Sequence, residues 1–215
     1  MSNFIKNANW RYATKKFDTT KKVSKEDLET LKEAIRLSAS SFGLQPYRVL
    51  IIENPELRAK IQPAAWGQSQ IVDASQLIVF ANITNFGETE IDVSIANTTK
   101  TRGLPADALK GYGDFMKSKI VALPEDVRNT WASKQTYLAL GNLMNAASEL
   151  KIDVTPMEGF EPAQVNEILG LGPLEPLLAD PTITEILVYL KRKLLAIAKS
   201  FSRHPHYMVV CSCRG

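Results

Sequence analysis

Residues 152–171 read IDVTPMEGFEPAQVNEILGL, and this stretch compresses a strand, a turn and a helix into 20 positions. Val154-Thr155 is β-branched and sits in a short uncharged run, as a buried strand requires. Pro162 opens a helix to about Leu169 and Gly170 follows its end, the usual placement of both residues. Between them Pro156-Met157-Glu158-Gly159-Phe160 reads equally as a ligand-facing turn and as a plain strand-to-helix connector. The same grammar extends upstream. Pro124 starts a long helix to about Leu150, with Trp131, Leu138, Leu143, Ala147 and Leu150 near one face. Gln76–Asn82 (QLIVFAN) is a second buried strand, and Val49–Ile52 is a third. Ser24-Lys25-Glu26-Asp27 caps a helix reaching about Leu37, and Pro55 opens a brief helix to about Ile61. Residues 92–122 read as helical, loosened by Gly103, Gly111 and Gly113. Strands alternating with helices give an α/β or α+β domain.

Composition narrows the function. The 215 residues are 45% hydrophobic and 23% charged, with a formal net charge of +3. Six of the 26 basic and three of the 23 acidic residues lie in 172–215, so the body is neutral and the tail carries the excess. Nucleic-acid binding needs a concentrated basic face, which is lacking. The apolar run 183–198 is broken by Lys191, Arg192 and Lys193, so it suits no bilayer. With no secretory pattern at the start and only Cys211 and Cys213 for cysteines, the expected location is the cytoplasm.

Side chains for acid–base or nucleophilic catalysis are scarce. The only histidines, His204 and His206, are in the tail, which leaves the body without a Ser-His-Asp or Cys-His arrangement. No Walker loop or GxGxxG occurs. His204, His206, Cys211 and Cys213 have no zinc spacing, so no metal site is expected, and this end reads as solvated and structureless. An enzyme of this composition depends on a cofactor for its chemistry. Arg11 and Lys15 could project to one side and clasp a phosphate, although a surface charge pair looks the same. The small-residue run Ser38–Pro46 lets backbone approach a ligand, and also simply ends a helix.

Five blocks in order decide between these alternatives: RYATKKFD (11–18), LSASSFGLQPYRVLII (37–52), AWGQSQIVDASQLIVFAN (65–82), WASKQTYLALGNLMNAA (131–147) and the opening stretch. Together they resemble the nitroreductase family of flavin oxidoreductases over residues 1–171. The resemblance implies an α+β fold, a mixed or antiparallel sheet flanked by helices, and a homodimer with FMN at the subunit interface. It implies FMN contacts from Arg11, Tyr12, Ala13, Thr14 and Lys15, with Arg11 on the phosphate and Lys15 near the N1/O2 edge of the ring. Position 13 is often Ser in the family and is Ala here, one hydrogen bond fewer. Gln68 and Gln70 match the segment facing ring and ribityl chain. Pro156, Met157, Glu158 and Gly159 match the turn whose N–H approaches N5. Ala39, Ser40, Ser41 and Gly43 would come from the partner subunit, and Phe42, Trp66 and Phe115 would border the substrate face. The implied activity is NAD(P)H-dependent reduction of nitroaromatics, quinones or similar acceptors by ping-pong hydride transfer.

Past Leu171 the resemblance ends. The family continues with a strand and a crossing arm bearing Lys-x-Arg. This chain instead reads GPLEPLLADPTITEILV (172–188), similar to a short stretch of secretion and pilus-assembly ATPases, with no Walker loop after it. Lys199 and Arg203 are wrongly spaced to replace the basic pair. Residues 172–215 are therefore expected to form an atypical tail in which part of 183–188 fills the missing strand. The alternative to an active enzyme is a relic of the fold that binds flavin weakly or not at all.

Overall fold

The computed structural model describes residues 1–170, 185–187 and 203–213. Eight α-helices and five strands occur among them: α1 Asn3–Trp10, α2 Lys25–Arg36, β1 Tyr47–Ile52, α3 Pro55–Ala64, α4 Gln70–Asp73, β2 Gln76–Ile83, α5 Glu88–Arg102, α6 Lys110–Ile120, α7 Glu125–Glu149, β3 Ile152–Met157, α8 Pro162–Ile168, β4 Glu185–Leu187 and β5 Arg203–Cys213. A single 3-10 turn, Ser41–Gly43, interrupts the loop after α2. Local chemistry sets the boundaries. Ser24 accepts from the Asp27 N–H at 3.0 Å and caps α2, and Asn54 does the same for α3 through Leu57 at 2.8 Å. The expected helical region 92–122 is two helices, because Gly103 (φ 64°) takes the left-handed conformation that ends α5.

The sheet has the order β3-β5-β2-β1-β4, and every strand pair is antiparallel. Side chains alternate between its faces and build two cores. Leu50, Ile52, Leu77, Val79, Met157 and Met208 pack with α3, α4 and α8. Val49, Ile51, Ile78, Phe80, Ile152 and Val154 pack against α2 and α7. Helices therefore cover both faces, which is why all eight residues of β2 are buried and its middle, Leu77–Ala81, reads as an unbroken apolar run. A third cluster, with Leu44, Ile83, Phe86, Ile91 and Met116, seals one end of the sheet under α5 and α6. The α+β expectation holds in this antiparallel form.

Two expectations for the tail need correction. Segment 183–188 does supply a strand, but Glu185–Leu187 lies at the edge beside β1. The central place between β2 and β3 goes to β5, which contains His204, His206, Cys211 and Cys213. That end is therefore part of the sheet and not a structureless tail. Pro205 cannot donate to a ladder, and the sheet accommodates it at a register shift: Phe80 faces Tyr207 while Ala81 faces Pro205, leaving one extra residue on β5. The ATPase-like resemblance falls largely on 171–184 and 188, outside the described residues, as does Lys199.

Candidate functional site

Segment 11–15 leaves α1 in extended conformation. Ala13 forms a parallel bridge with Val154 of β3, and Thr155 Oγ1 donates to the Thr14 carbonyl. Thr14 is buried, its Oγ1 without a partner among the described residues, while Ala13 and Lys15 are exposed and Arg11 is half-buried. Arg11 and Lys15 follow the end of α1, so four-residue helical spacing does not relate them. Tyr12 is also open. Lys151, which follows α7, steadies the preceding helix by placing its ammonium 4.9 Å from the Trp10 ring centroid.

The same edge of β3 runs into the turn. Pro156 and Met157 are strand residues facing Val209 and Met208, and Met157 is buried in the core. The turn proper is therefore Glu158–Glu161, shorter than the sequence suggests. It is held from several directions. Gln68 Nε2 donates to the Gly159 carbonyl at 2.8 Å and to Ala65 at 3.1 Å. The Phe160 N–H returns to the Glu158 carbonyl at 3.0 Å, and the Glu161 N–H reaches Ala64 at 2.8 Å. Trp66 lies against Gly159 so closely that a Cβ there would stand 2.7 Å from Cζ3. Its indole N–H donates to Glu161 Oε1 at 3.0 Å. Trp66 itself is left-handed (φ 55°) and 66% exposed. A large residue keeps that backbone only where its surroundings fix it. Gln70, at the start of α4, is buried.

Segment 11–15, Gln68 and the 158–161 turn thus gather at one edge of the sheet. The Gly159 N–H has no acceptor among the described residues, and the space a Cβ would take is filled by Trp66. A donor without an acceptor, at the sheet edge to which the Arg11–Lys15 segment also pairs, suits a planar, phosphate-bearing group with acceptor atoms on its ring, which FMN provides.

Loop 38–45 lies elsewhere. The Ser41 N–H donates to Gln135 Oε1 at 2.8 Å, and Asn142 Nδ2 to Ser38 Oγ at 3.0 Å. Ala39 and Gly43 are exposed, and Ser40 Oγ accepts from Gln45 N at 2.9 Å. Phe42 (φ 55°) contacts Tyr112 and Phe115 of α6 edge-on, each with centroids 6.3 Å apart. Of the three aromatics expected at the substrate face, Phe42 and Phe115 touch while Trp66 stands by Gly159. Sequence reasoning missed Tyr112, and also Tyr137, whose hydroxyl donates to the Glu158 carboxylate. Gln135 and Tyr137 are two positions apart on α7, hence about 200° around its axis. The loop and the turn occupy opposite faces of one helix.

The model of the Nitroreductase family matches residues 8–179. The chain belongs to this family. A Bacillus subtilis relative, provisionally named NAD(P)H nitroreductase YfkO, is 38% identical over 168 residues, covering 75% of this chain and 76% of its own. A similarly named protein of Staphylococcus haemolyticus is 38% identical over 187 residues, 79% and 80% of the two chains. Among solved structures, a nitroreductase-like protein of Exiguobacterium sibiricum in complex with FMN superposes with a TM-score of 0.73 at 21% identity, over 99% of this chain and 89% of that one. An NAD(P)H:FMN oxidoreductase-like protein of Staphylococcus epidermidis gives 0.75 at 14% identity, over 100% and 88%. These structures share the nitroreductase fold. Among the described residues no helix is long and apolar enough to cross a membrane.

Proposed function

We propose that this chain is an FMN-dependent NAD(P)H oxidoreductase that reduces nitroaromatics, quinones or similar acceptors in ping-pong order, as a cytoplasmic homodimer. When bound, FMN supplies the redox chemistry by taking hydride at N5 from NAD(P)H and passing it to the acceptor. The chain's own residues bind and bias it. Arg11 holds the phosphate. Lys15 sets a cation by the N1/O2 edge, where negative charge gathers on reduction. Tyr12 and Ala13 line the ring, and Thr14 contributes through the main chain that Thr155 fixes. Gln68 and Gln70 border ring and ribityl chain, and Glu158 and Gly159, following Pro156 and Met157, present the N–H. The observation that carries this reading is the acceptorless Gly159 N–H at the end of the strand to which Ala13 pairs.

Helix α7 supports the dimer reading. Ala39, Ser40, Ser41 and Gly43 are on its far side, and in this reading they meet the cofactor bound at the turn of a second copy. Phe42, Trp66 and Phe115 then border the acceptor. The replaced tail favours a second reading, a family member that has lost its grip on flavin, because no Lys-x-Arg arm follows residue 171. The visible absorption spectrum decides. A bound flavin band that bleaches when NADPH or NADH is added anaerobically supports the oxidoreductase, whereas no band in excess FMN supports the relic.

A further inference from the structure

Helix α7 reaches into both parts of the candidate site, and its contact with the turn has no role in the reading above. Glu158 and Gly159 are fixed on one side by Gln68, which takes the Gly159 carbonyl, and by Phe160, whose N–H takes the Glu158 carbonyl. Both bonds arise close to the turn itself. The Glu158 carboxylate extends the other way and accepts from the Tyr137 hydroxyl. Tyr137 stands on a 25-residue helix whose buried side is locked into the core by Thr136, Ala139, Leu140 and Leu143. The turn is thereby tied to a long helix packed into the core. The peptide joining Glu158 to Gly159 carries the unused N–H, and it lies between these fixed points.

We propose that Tyr137 is a positioning residue: by holding the Glu158 carboxylate it sets where the Gly159 N–H points and keeps a negative charge off the face on which the flavin lies. This rests on the FMN reading above and extends it to a residue outside the binding segments. The consequence is redox-specific. N5 of oxidised flavin is a hydrogen-bond acceptor, and after hydride arrives it is a donor. A misplaced N–H therefore costs the oxidised cofactor more than the reduced one.

The test is a cycle of Tyr137→Phe, Glu158→Ala and the double variant in the full chain. Dissociation constants are read by flavin fluorescence, and midpoint potentials by dye-coupled titration. Tyr137 is 45% exposed, so Tyr137→Phe leaves no cavity, and a melting curve confirms folding. Each single change should weaken oxidised FMN binding about tenfold, the size of one hydrogen bond. The double variant should be no worse than the weaker-binding single one, as for groups acting through each other. A tenfold larger loss for the oxidised form raises the two-electron potential by about 30 mV. Wild-type affinity and potential in Tyr137→Phe, or fully additive losses, overturn the inference and leave the oxidoreductase reading intact. A wild-type protein that binds no FMN overturns both.

Discussion

Gly159→Ala should destabilise the protein through a single neighbour, Trp66. Gly159 is not among the residues with positive φ, so its backbone accepts alanine without strain. The added methyl would lie 2.7 Å from Trp66 Cζ3 and 3.0 Å from Cε3. Carbon pairs prefer about 3.5–4.0 Å, so the overlap is close to 1 Å. The indole is 66% exposed and can swing outward, which relieves the clash but breaks its bond to Glu161. The expected cost is about 1–3 kcal/mol, one lost hydrogen bond plus displaced packing. In a Trp66→Ala background the obstacle is gone, and Gly159→Ala should cost less than about 0.5 kcal/mol, helped by the lower entropy of the unfolded chain. Urea melts of the four proteins measure this coupling directly. An equal cost of Gly159→Ala with and without Trp66, or none with it, would refute the reasoning.

Other perturbations probe the frame around the site. Arg58 is buried and donates to the carbonyls of Ile71, Ala74 and Ser75; Arg58→Leu should cost about 3 kcal/mol by orphaning them, seen as a lower melting temperature. Thr136→Val removes the partner of the buried Asn82 amide and should cost about 1–3 kcal/mol in urea melts. Tyr47 is fully buried, and burial pushes its hydroxyl from 10.0 up to about 12. The folded state then holds its proton longer than the unfolded state, so this contribution is complete below pH 10 and is lost as pH rises from 10 to about 12. Tyr47→Phe should flatten that decline, worth about 2–3 kcal/mol, in melts taken across that range. Removing residues 203–215 takes away β5 and leaves the facing edges of β2 and β3 unpaired; the protein should be insoluble or unfolded by circular dichroism, since such exposure costs about as much as the total stability.

What the sequence revealed follows the range of the interactions involved. Helices α2 and α7 and strands β1 to β3 announce themselves within their own residues, through caps, prolines and apolar runs. The candidate segments 11–15 and 156–159 do not: alone they read as well as a surface charge pair and a connector, and only the five blocks in order point to them. Contacts that close the site join distant positions: Trp66 with Glu161, and Tyr137 with Glu158. Periodicity and spacing carry no signal of either. Strand β5 was hidden for a different reason. Pro205 argues against a central strand, and only the partner's register shows the bulge that accommodates it. Helix α1 has no buried residue, so no apolar stripe marked it.

The position of β5 also governs how the molecule can be made. Strand β5 lies far along the sequence yet inside the sheet, so β2 and β3 have no common partner until residues 203–213 have been synthesised. Nascent chains must keep those apolar edges from other partners throughout elongation, and early folding is confined to the helices and the β1–β2 pair. Closure of the sheet thereby waits on residues 203–213: a chain that stops before them lacks the strand joining β3 to β2 and presents open edges to proteases and chaperones.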